Sequence, residues 1–249
     1  MIPIFYTPPE KIQSENEELI ISGEEAHHIR NVFRLGKGDT ILVVDGIGNG
    51  YKVEIERISD KGVNCRIFSR IRNFGEPVHF VTLVAGLSTG TKFDEVIQRG
   101  TELGVSRFIP MVTEKSKVKA DEGTSGKNRY SRWQKIALAS IKQAGRSVLP
   151  HIEPITNFDR VFNTVNNLGK MLLFDPSEGG RHLNKIQLGT DDRNCTIFIG
   201  PEAGFTKSEL HIAEENGAHI ISLGQRVLRT ENAAPIAAAL LMNLLGELR

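Results

Sequence analysis

Val78-His79-Phe80-Val81-Thr82-Leu83-Val84-Ala85-Gly86-Leu87 is a nearly continuous apolar run, and together with the residues that follow it indicates the type of fold. An apolar run of this length is typical of a strand buried on both faces, as in a parallel sheet. From Lys92 to Leu103 the apolar residues recur at helical spacing, and Gly104 follows in the position of a helix C-cap. A buried strand followed by an amphipathic helix predicts an α/β domain with helices covering a parallel sheet.

The same alternation continues to the end of the sequence. Further strands are predicted at Arg107–Val112, Met171–Phe174, Thr196–Ile199 and Ile220–Leu223. Helices are predicted around Trp133–Ala144, from about Lys207, and over the Ala- and Leu-rich C-terminal segment. Between the second strand and its helix, Thr113 to Arg129 is polar and is predicted to form a long loop.

The first seventy residues have a different pattern, with short strands and turns. Thr40 to Asp45 is a β-branched run, residues 51–55 alternate between apolar and charged side chains, and Val63 to Phe68 predicts another strand. Only Glu24 to Phe33 has the pattern of a helix. Asn73–Pro77 is typical of a linker, so we predict a small β-barrel domain over residues 1–74 and an α/β domain over residues 75–249.

Composition excludes several classes of protein. The chain has 249 residues, 39% hydrophobic and 24% charged, which argues against disorder. Its longest nearly apolar stretch, Ala233 to Leu245, is shorter than the roughly 20 residues of a membrane span. The start of the sequence lacks the pattern of a signal peptide, and Cys65 and Cys195 have no CxxC spacing. We therefore predict a cytoplasmic protein without a disulfide scaffold or a metal site.

Well-known nucleotide-binding motifs are missing. The sequence contains neither GxxxxGK[ST] nor a GxGxxG that opens a helix. Gly46, Gly48 and Gly50 precede a strand and are interpreted as a hairpin turn. The adjacent His27 and His28 are interpreted as hydrogen-bonded or solvated side chains and not as metal ligands. The 31 Lys and Arg against 30 Asp and Glu exclude a uniformly basic surface but not a local basic patch.

Two loops that leave predicted strands carry unusual residues. In parallel α/β sheets ligands bind beyond the carboxyl ends of the strands. The first loop is Ile199-Gly200-Pro201-Glu202-Ala203-Gly204-Phe205-Thr206, whose last residue begins a capping-box pattern with Glu209. The second is Leu223-Gly224-Gln225-Arg226-Val227-Leu228-Arg229-Thr230-Glu231-Asn232-Ala233-Ala234. A simple turn explains the first loop equally well. The start of a helix does not by itself explain why the second loop contains Arg226, Arg229 and Glu231. Their presence there favours a functional site.

Taken together, these loops and three other segments resemble one family. The other segments are Phe93–Val105, Gln143-Ala144-Gly145-Arg146 and Glu25–Arg34. The chain resembles the RsmE family, the 16S ribosomal RNA uridine N3-methyltransferases of the SPOUT superfamily, over nearly its whole length. The chain departs from the family pattern at Ala203, where a second glycine is usual, and at Asn232 and Ile4. A methyl group at Ala203 is tolerable unless the loop requires a positive φ there.

The resemblance implies a fold, a cofactor and an assembly. The fold is a SPOUT-type parallel sheet with a C-terminal trefoil knot, preceded by a small PUA-like domain. The cofactor is S-adenosylmethionine, and the implied partners are 16S ribosomal RNA of the 30S subunit and a second copy of the chain. The resemblance implies that the loops Gly200–Gly204 and Leu223–Ala233 and a third loop after Phe174 hold the cofactor. The residues expected to bind it are Phe174, Gly200, Pro201, Glu202, Gly204, Leu223, Gly224, Leu228, Thr230 and Ala233.

Methylation of uracil N3 needs a proton acceptor and stabilisation of negative charge on O2 and O4. Arg229 and Arg146 are predicted to stabilise that charge, because a guanidinium is always charged. Glu231 or Glu202 is predicted to accept the proton or to orient an arginine. Phosphate contacts are expected from Arg30, Arg34, Arg66, Arg70, Arg72, Lys115, Lys117 and Lys119.

Two alternatives stay open on the sequence alone. One is a SPOUT methyltransferase that acts on transfer RNA or on a ribose 2′-hydroxyl. The other is a non-catalytic RNA-binding factor in ribosome assembly. Gly200, Glu202, Arg229 and Glu231 are all present, which argues against a loss of activity.

Overall fold

A computed structural model describes residues 2–118, 124–165, 168–176, 180–188 and 193–248. The chain forms two compact units, Met1–Glu76 with Leu138–Leu149, and Pro77–Ala137 with Pro150–Arg249. The division differs from the predicted one by two residues at the linker. It also places Leu138–Leu149 in the first unit, although no domain boundary was predicted there.

The first unit contains a curled six-stranded sheet in the order β1-β4-β5-β6-β3-β2. Its elements are β1 (Ile4–Tyr6), β2 (Ile12–Gln13), β3 (Glu18–Ile21), α1 (Gly23–His27), β4 (Thr40–Val44), β5 (Asn49–Ser59) and β6 (Gly62–Arg72). One face buries Phe5, Ile41, Val53 and Ile55 completely or nearly so. The predicted helix Glu24–Phe33 is observed as α1 followed by a π-helical turn over His28–Val32.

The second unit contains the parallel sheet. Its elements in chain order are β7 (Phe80–Gly86), α2 (Lys92–Glu102), β8 (Arg107–Val112), α3 (Thr124–Ala144), β9 (His151–Ile152), β10 (Thr156–Asn157), α4 (Phe158–Val165), β11 (Lys170–Phe174), β12 (Asn194–Ile199), α5 (Lys207–Glu215), β13 (His219–Ile221) and α6 (Thr230–Leu244). The part of α3 from Leu138 onward belongs to the first unit. The sheet order is β10-β8-β7-β12-β11-β13, with β9 also paired to β8. Among the described residues, all strand pairings in this sheet are parallel, which confirms the α/β prediction.

The strand order brings together segments far apart in sequence. The late strand β12 lies between β7 and β11, and α6 then returns to pack against β7, β12 and α2. The core of this unit includes Val84, Leu173 and Phe198, with Phe162 stacked on Phe198 at 5.4 Å between ring centroids. The trefoil knot itself stays a prediction.

One predicted loop is wrong in part. The sequence predicted a loop from Thr113 to Arg129, whereas α3 begins at Thr124. Gly126 therefore lies in the first turn of a helix, where backbone N–H groups lack helical partners anyway and a glycine costs least. Lys119, predicted as an RNA contact, lies outside the described residues.

A carboxylate fastens the end of the chain to the start of the parallel sheet. Glu247 Oε1 accepts hydrogen bonds from the backbone N–H groups of Val78 and His79, and it contacts His79 Nδ1. Burial by itself raises the pKa of Glu247, but these hydrogen bonds outweigh it and hold the pKa below its ordinary value. The carboxylate form therefore stabilises the folded chain.

Candidate active site

The carboxyl ends of β11, β12 and β13 meet at one pocket of the second unit. Phe174 ends β11 and Ile199 ends β12, and the loops after these strands and after β13 supply the remaining walls. All ten residues expected to bind the cofactor line this one pocket. Because carboxyl ends of parallel strands lie at one edge of a sheet, residues as far apart in the sequence as Phe174 and Ala233 come together here.

The loop Gly200–Gly204 lies against β7. A Cβ at Gly86, the last residue of β7, would come within 2.4 Å of the backbone nitrogen of Pro201. Gly204 has φ 66°, a left-handed value that favours glycine. Ala203 has no such φ, so the alanine in place of the family's glycine is accommodated without backbone strain.

Three polar contacts fix the position of this loop. Thr230 Oγ1 donates to the carbonyl oxygen of Gly200 at 2.9 Å and so joins the two site loops. Lys115 Nζ donates to the carbonyl oxygens of Ala203 and Phe205, at 3.3 and 2.8 Å. Lys115 was predicted as an RNA contact. Since an ammonium has three N–H donors, these contacts leave one N–H group for a phosphate.

Glu209 connects the site loop to the loop after β8. Its Oε2 accepts the Thr206 backbone N–H at 2.8 Å, and the Glu209 N–H returns to Thr206 Oγ1 at 3.1 Å, which confirms the predicted capping box. Its Oε1 accepts the backbone N–H of Glu114 at 2.8 Å. The side chain is 5% exposed. One buried carboxylate thus holds two loops and the start of α5 in place.

The pocket combines apolar walls with a few charged groups. Phe174, Leu223 and Leu228 contribute apolar surface, while Asp175 and Arg226 contribute charge. Such a lining suits a ligand that carries an apolar ring together with positive and negative groups. Glu202 also lines the pocket and forms an ion pair with Lys92 at the start of α2.

Glu231 lies in the first turn of α6, beside the pocket. It is 9% exposed, and its Oε2 is buried without a hydrogen-bond partner among the described residues. Arg99 Nη1 holds the adjacent backbone by donating to the Glu231 carbonyl oxygen at 3.3 Å. Arg229 is the N-cap of α6 and its side chain is exposed. A buried carboxylate oxygen without a partner is costly and is typical of a functional group.

Arg146 belongs to the first unit, whereas Arg229 and Glu231 belong to the second. It is 3% exposed, and its Nε and Nη2 donate to Glu76 Oε2 at 3.2 and 2.8 Å. Glu76 Oε1 accepts the backbone N–H groups of Ser147 and Val148. This arrangement gives Arg146 a structural role, and its predicted catalytic role stays a prediction.

The predicted RNA contacts of the first unit differ in how they are held. Arg30 donates to the carbonyl oxygens of Ala26 and Ser59, which fixes its guanidinium. Arg70 donates to Asn49 Oδ1, and Arg34, Arg66, Arg70 and Arg72 are all exposed. In the second unit, Lys117 is exposed and lines a second groove together with Pro201, Glu202 and Ala203.

Sequence reasoning missed several residues of the site. Asp175 and Pro176 line the pocket in the loop after Phe174, which the resemblance implied as a cofactor loop, but neither residue was named. Arg226 was noted in its loop from the sequence, but no function was predicted for it. No neighbouring residue in the sequence indicated that Lys92 belongs to the site, because its ion-pair partner Glu202 lies 110 positions away.

No group of three or more His, Cys, Asp or Glu side chains within the described ranges is arranged to hold a metal ion. In the same part of the chain, every helix is too short or too polar to cross a bilayer.

Comparison with known proteins identifies the chain. Residues 75–242 match the RNA methyltransferase domain, and residues 21–68 match the RNA methyltransferase PUA domain. The chain therefore belongs to the RNA methyltransferase domain family. It is similar to ribosomal RNA small subunit methyltransferase E of Bacillus subtilis, with 31% identity over 86% of this chain and 85% of the relative. It is thus a member of the ribosomal RNA small subunit methyltransferase E family.

Solved structures show the same fold. A ribosomal RNA small subunit methyltransferase E from Neisseria gonorrhoeae, bound to S-adenosyl methionine, is 26% identical, with a TM-score of 0.85 over 98% of both chains. A putative methyltransferase from Legionella pneumophila, in complex with bound SAM, is 27% identical, with a TM-score of 0.86 over 98% of both chains. A probable rRNA-methyltransferase from Porphyromonas gingivalis, at 23% identity and a TM-score of 0.83, shares the fold.

Proposed function

We propose that this protein transfers a methyl group from S-adenosylmethionine to N3 of a uridine in 16S ribosomal RNA. The observation that carries the proposal is the single pocket around which all ten expected cofactor residues lie, in a member of this family. Its lining fits the cofactor. Apolar side chains suit the adenine ring, Asp175 suits the positive ammonium, and Arg226 suits the carboxylate. Family membership also supports a cytoplasmic protein that acts on ribosomal RNA.

When bound, the cofactor supplies an electrophilic methyl group. The chain must then remove the imide proton of uracil and stabilise the resulting anion. Glu231 is our candidate proton acceptor, because its buried Oε2 has no hydrogen-bond partner among the described residues. Arg229, exposed at the N-cap of α6, is our candidate for stabilising the charge on O2 or O4. Glu202 is less suited to be the base, because it already pairs with Lys92.

The test of function is methyl transfer with labelled S-adenosylmethionine, on 30S particles and on total RNA from a strain that lacks this gene. Nucleoside mass spectrometry then identifies the product. N3-methyluridine in 16S RNA is the expected result. A different methylated nucleoside would overturn the proposed substrate, and absence of both transfer and cofactor binding would favour the non-catalytic alternative.

We expect Glu209→Ala to weaken S-adenosylmethionine binding by about tenfold, because it leaves two backbone N–H groups without their acceptor and loosens the Gly200–Gly204 loop. Calorimetry measures the change. The matched control is Glu214→Ala, which removes an exposed carboxylate of the same helix. Equal affinities for the two variants would show that the capping box does not support the pocket.

The family resemblance implies a homodimer, and α6 offers a surface for it. Ile236, Leu240 and Leu244 recur every four residues and are 40, 43 and 45% exposed. Side chains at this spacing lie on one face of a helix. Exposed apolar surface of this kind marks a contact with another protein. We propose that a second copy of the chain covers this stripe.

Leu240→Glu is expected to convert the dimer into a monomer, because it places a charge in an apolar contact. Light scattering after size exclusion measures the mass of the particle. Ile20→Glu, at an exposed position in β3, is the control. A native protein that is itself monomeric, or a dimer unaffected by Leu240→Glu, would contradict the proposal.

A further inference from the structure

A groove of the second unit lies at the carboxyl ends of β7 and β8, next to the pocket formed by the ends of β11, β12 and β13. The segment Pro201–Ala203 lines both the pocket and the groove, so the two share a border. The segment Leu87–Thr89, directly after β7, lines two successive parts of the groove, which are therefore continuous. Because β7 is the neighbour of β12 in the sheet, the loops that follow these strands lie side by side. We call this surface the β7–β8 groove.

Positive side chains line the whole length of the β7–β8 groove. Two come from the loop after β8 and border the part next to the pocket, and two come from α3 and border the part beyond Leu87–Thr89: Lys115, Lys117, Arg129 and Arg132. Glu202 is the one carboxylate among the described residues that line the groove, and it is paired with Lys92. Cations spread along a groove favour a chain of phosphates over a single small anion.

Two of these cations are held in position and keep groups free for a ligand. Arg132 Nη2 contacts Asp94 Oδ1 at 3.0 Å, and Trp133 Nε1 donates to the same oxygen at 3.1 Å. The Arg132 side chain is nevertheless 46% exposed. Lys115 keeps one N–H group after its contacts with two carbonyl oxygens of the loop after β12. A cation that is already ordered loses little entropy when it binds a phosphate.

The segment between β7 and α2 offers further groups to a ligand. Ser88 lines both parts of the groove, and its Oγ is buried without a hydrogen-bond partner in the described part of the chain. A buried hydroxyl of this kind is costly, and rotation about one side-chain bond turns it toward a ligand in the groove. No atom lies within 4 Å of the position that a Cβ would take at Gly90, so the backbone there is open to close approach. The start of α2, at Lys92, adds partial positive charge.

We propose that the β7–β8 groove binds the unpaired RNA strand next to the methylated uridine, with the phosphates of this strand on Lys117, Arg129 and Arg132. N3 of uracil belongs to the edge that forms base pairs, so a uridine has to be unpaired before its N3 can be methylated. Phosphate contacts then hold the strand in register while the base reaches the cofactor. The groove meets both needs, because it is positively charged and borders the pocket. This site rests on the proposed function, since it assumes an RNA substrate and a cofactor in that pocket.

The first test is the salt dependence of binding to a fluorescein-labelled oligouridine of about 12 nucleotides, measured by fluorescence anisotropy with the full chain. Each phosphate contact on a single strand contributes about 0.7 to the slope of log K against log salt. The double variant Lys117→Gln/Arg132→Gln should therefore lower the slope by about 1.4. Both side chains are exposed, so the variant is expected to fold, which thermal unfolding checks.

A matched control removes the same two kinds of charge elsewhere in the second unit. Arg160 in α4 and Lys185 are exposed and lie outside the groove. Arg160→Gln/Lys185→Gln should leave the slope unchanged. An unchanged slope in Lys117→Gln/Arg132→Gln, or an equal fall in the control, would overturn the proposal.

Photo-crosslinking locates the strand without any change of charge. An oligouridine that carries one 4-thiouridine is irradiated with the native protein, and mass spectrometry identifies the linked peptide. We expect crosslinks within Leu87–Gly90 or Lys115–Val118, the two segments that line the groove on either side of its continuous part. Crosslinks confined to other segments of the chain would contradict the proposed position of the strand.

Failure of this site can be told apart from failure of the proposed function. Calorimetry with S-adenosylmethionine and the methyl-transfer assay on 30S particles report on the pocket and on the reaction. If both succeed while the slope of Lys117→Gln/Arg132→Gln stays native, the groove assignment is wrong and the proposed function stands. If the slope falls and the crosslinks lie in the groove, but no N3-methyluridine forms, the groove binds RNA and the proposed reaction is wrong.

Discussion

Arg146→Ala is expected to lower the free energy of unfolding by about 3–5 kcal/mol, because it leaves the buried Glu76 carboxylate without its counter-charge. Both side chains of the pair are 10% exposed or less. Glu76 also accepts the backbone N–H groups of Ser147 and Val148, so the loss extends to the segment after α3. Denaturant unfolding followed by circular dichroism measures the change.

The prediction also separates two roles for this arginine. A structural role predicts that Arg146→Ala and Glu76→Ala destabilise similarly, and that the double variant loses less than the sum of both. Arg57→Ala removes an exposed arginine of the same unit and should be nearly neutral. A stable Arg146→Ala protein that has lost methyl transfer would instead establish the catalytic role that the sequence predicted.

Glu231→Gln is expected to reduce methyl transfer by about a hundredfold or more, because an amide cannot accept the imide proton. S-adenosylmethionine affinity should stay within about twofold, since the shape of the side chain is retained. Stability should be unchanged or higher, because the variant removes a buried charge whose Oε2 lacks a partner among the described residues. Single-turnover kinetics and thermal unfolding together measure these effects.

The combination of effects distinguishes catalysis from structure. If Glu231 had only a structural role, its substitution would lower the stability of the protein. The lower rate of methyl transfer would then follow from unfolding. Glu202→Gln is the matched control, because this carboxylate lines the pocket but is paired with Lys92 and exposed to solvent. Near-normal turnover of Glu231→Gln with intact cofactor binding would exclude Glu231 as the base, and a large loss in Glu202→Gln alone would assign that role to Glu202.

The elements with strong periodicity were predictable. β8 is observed over the predicted Arg107–Val112, and α2 ends just before Gly104, whose φ of 96° fits its role after the helix. Such elements are set by neighbouring residues, so a local pattern is sufficient. The short strands β1, β2, β9 and β10 and the helix α4 were not predicted. Two- or three-residue strands contain too little pattern to recognise, and long-range pairing determines them.

Local patterns and short motifs were sufficient to predict the class of the fold, the family and two of the three loops whose residues form the pocket. Tertiary structure alone decided that ten residues from three strand ends line one pocket, since parallel pairing is a long-range property. Tertiary structure also determined the burial and the interaction partners of two charged residues. Arg146 is buried against a glutamate seventy positions away, and the buried Glu231 oxygen has no partner in the described part of the chain. Burial and pairing depend on which distant residues pack together, and no local pattern in the sequence records this.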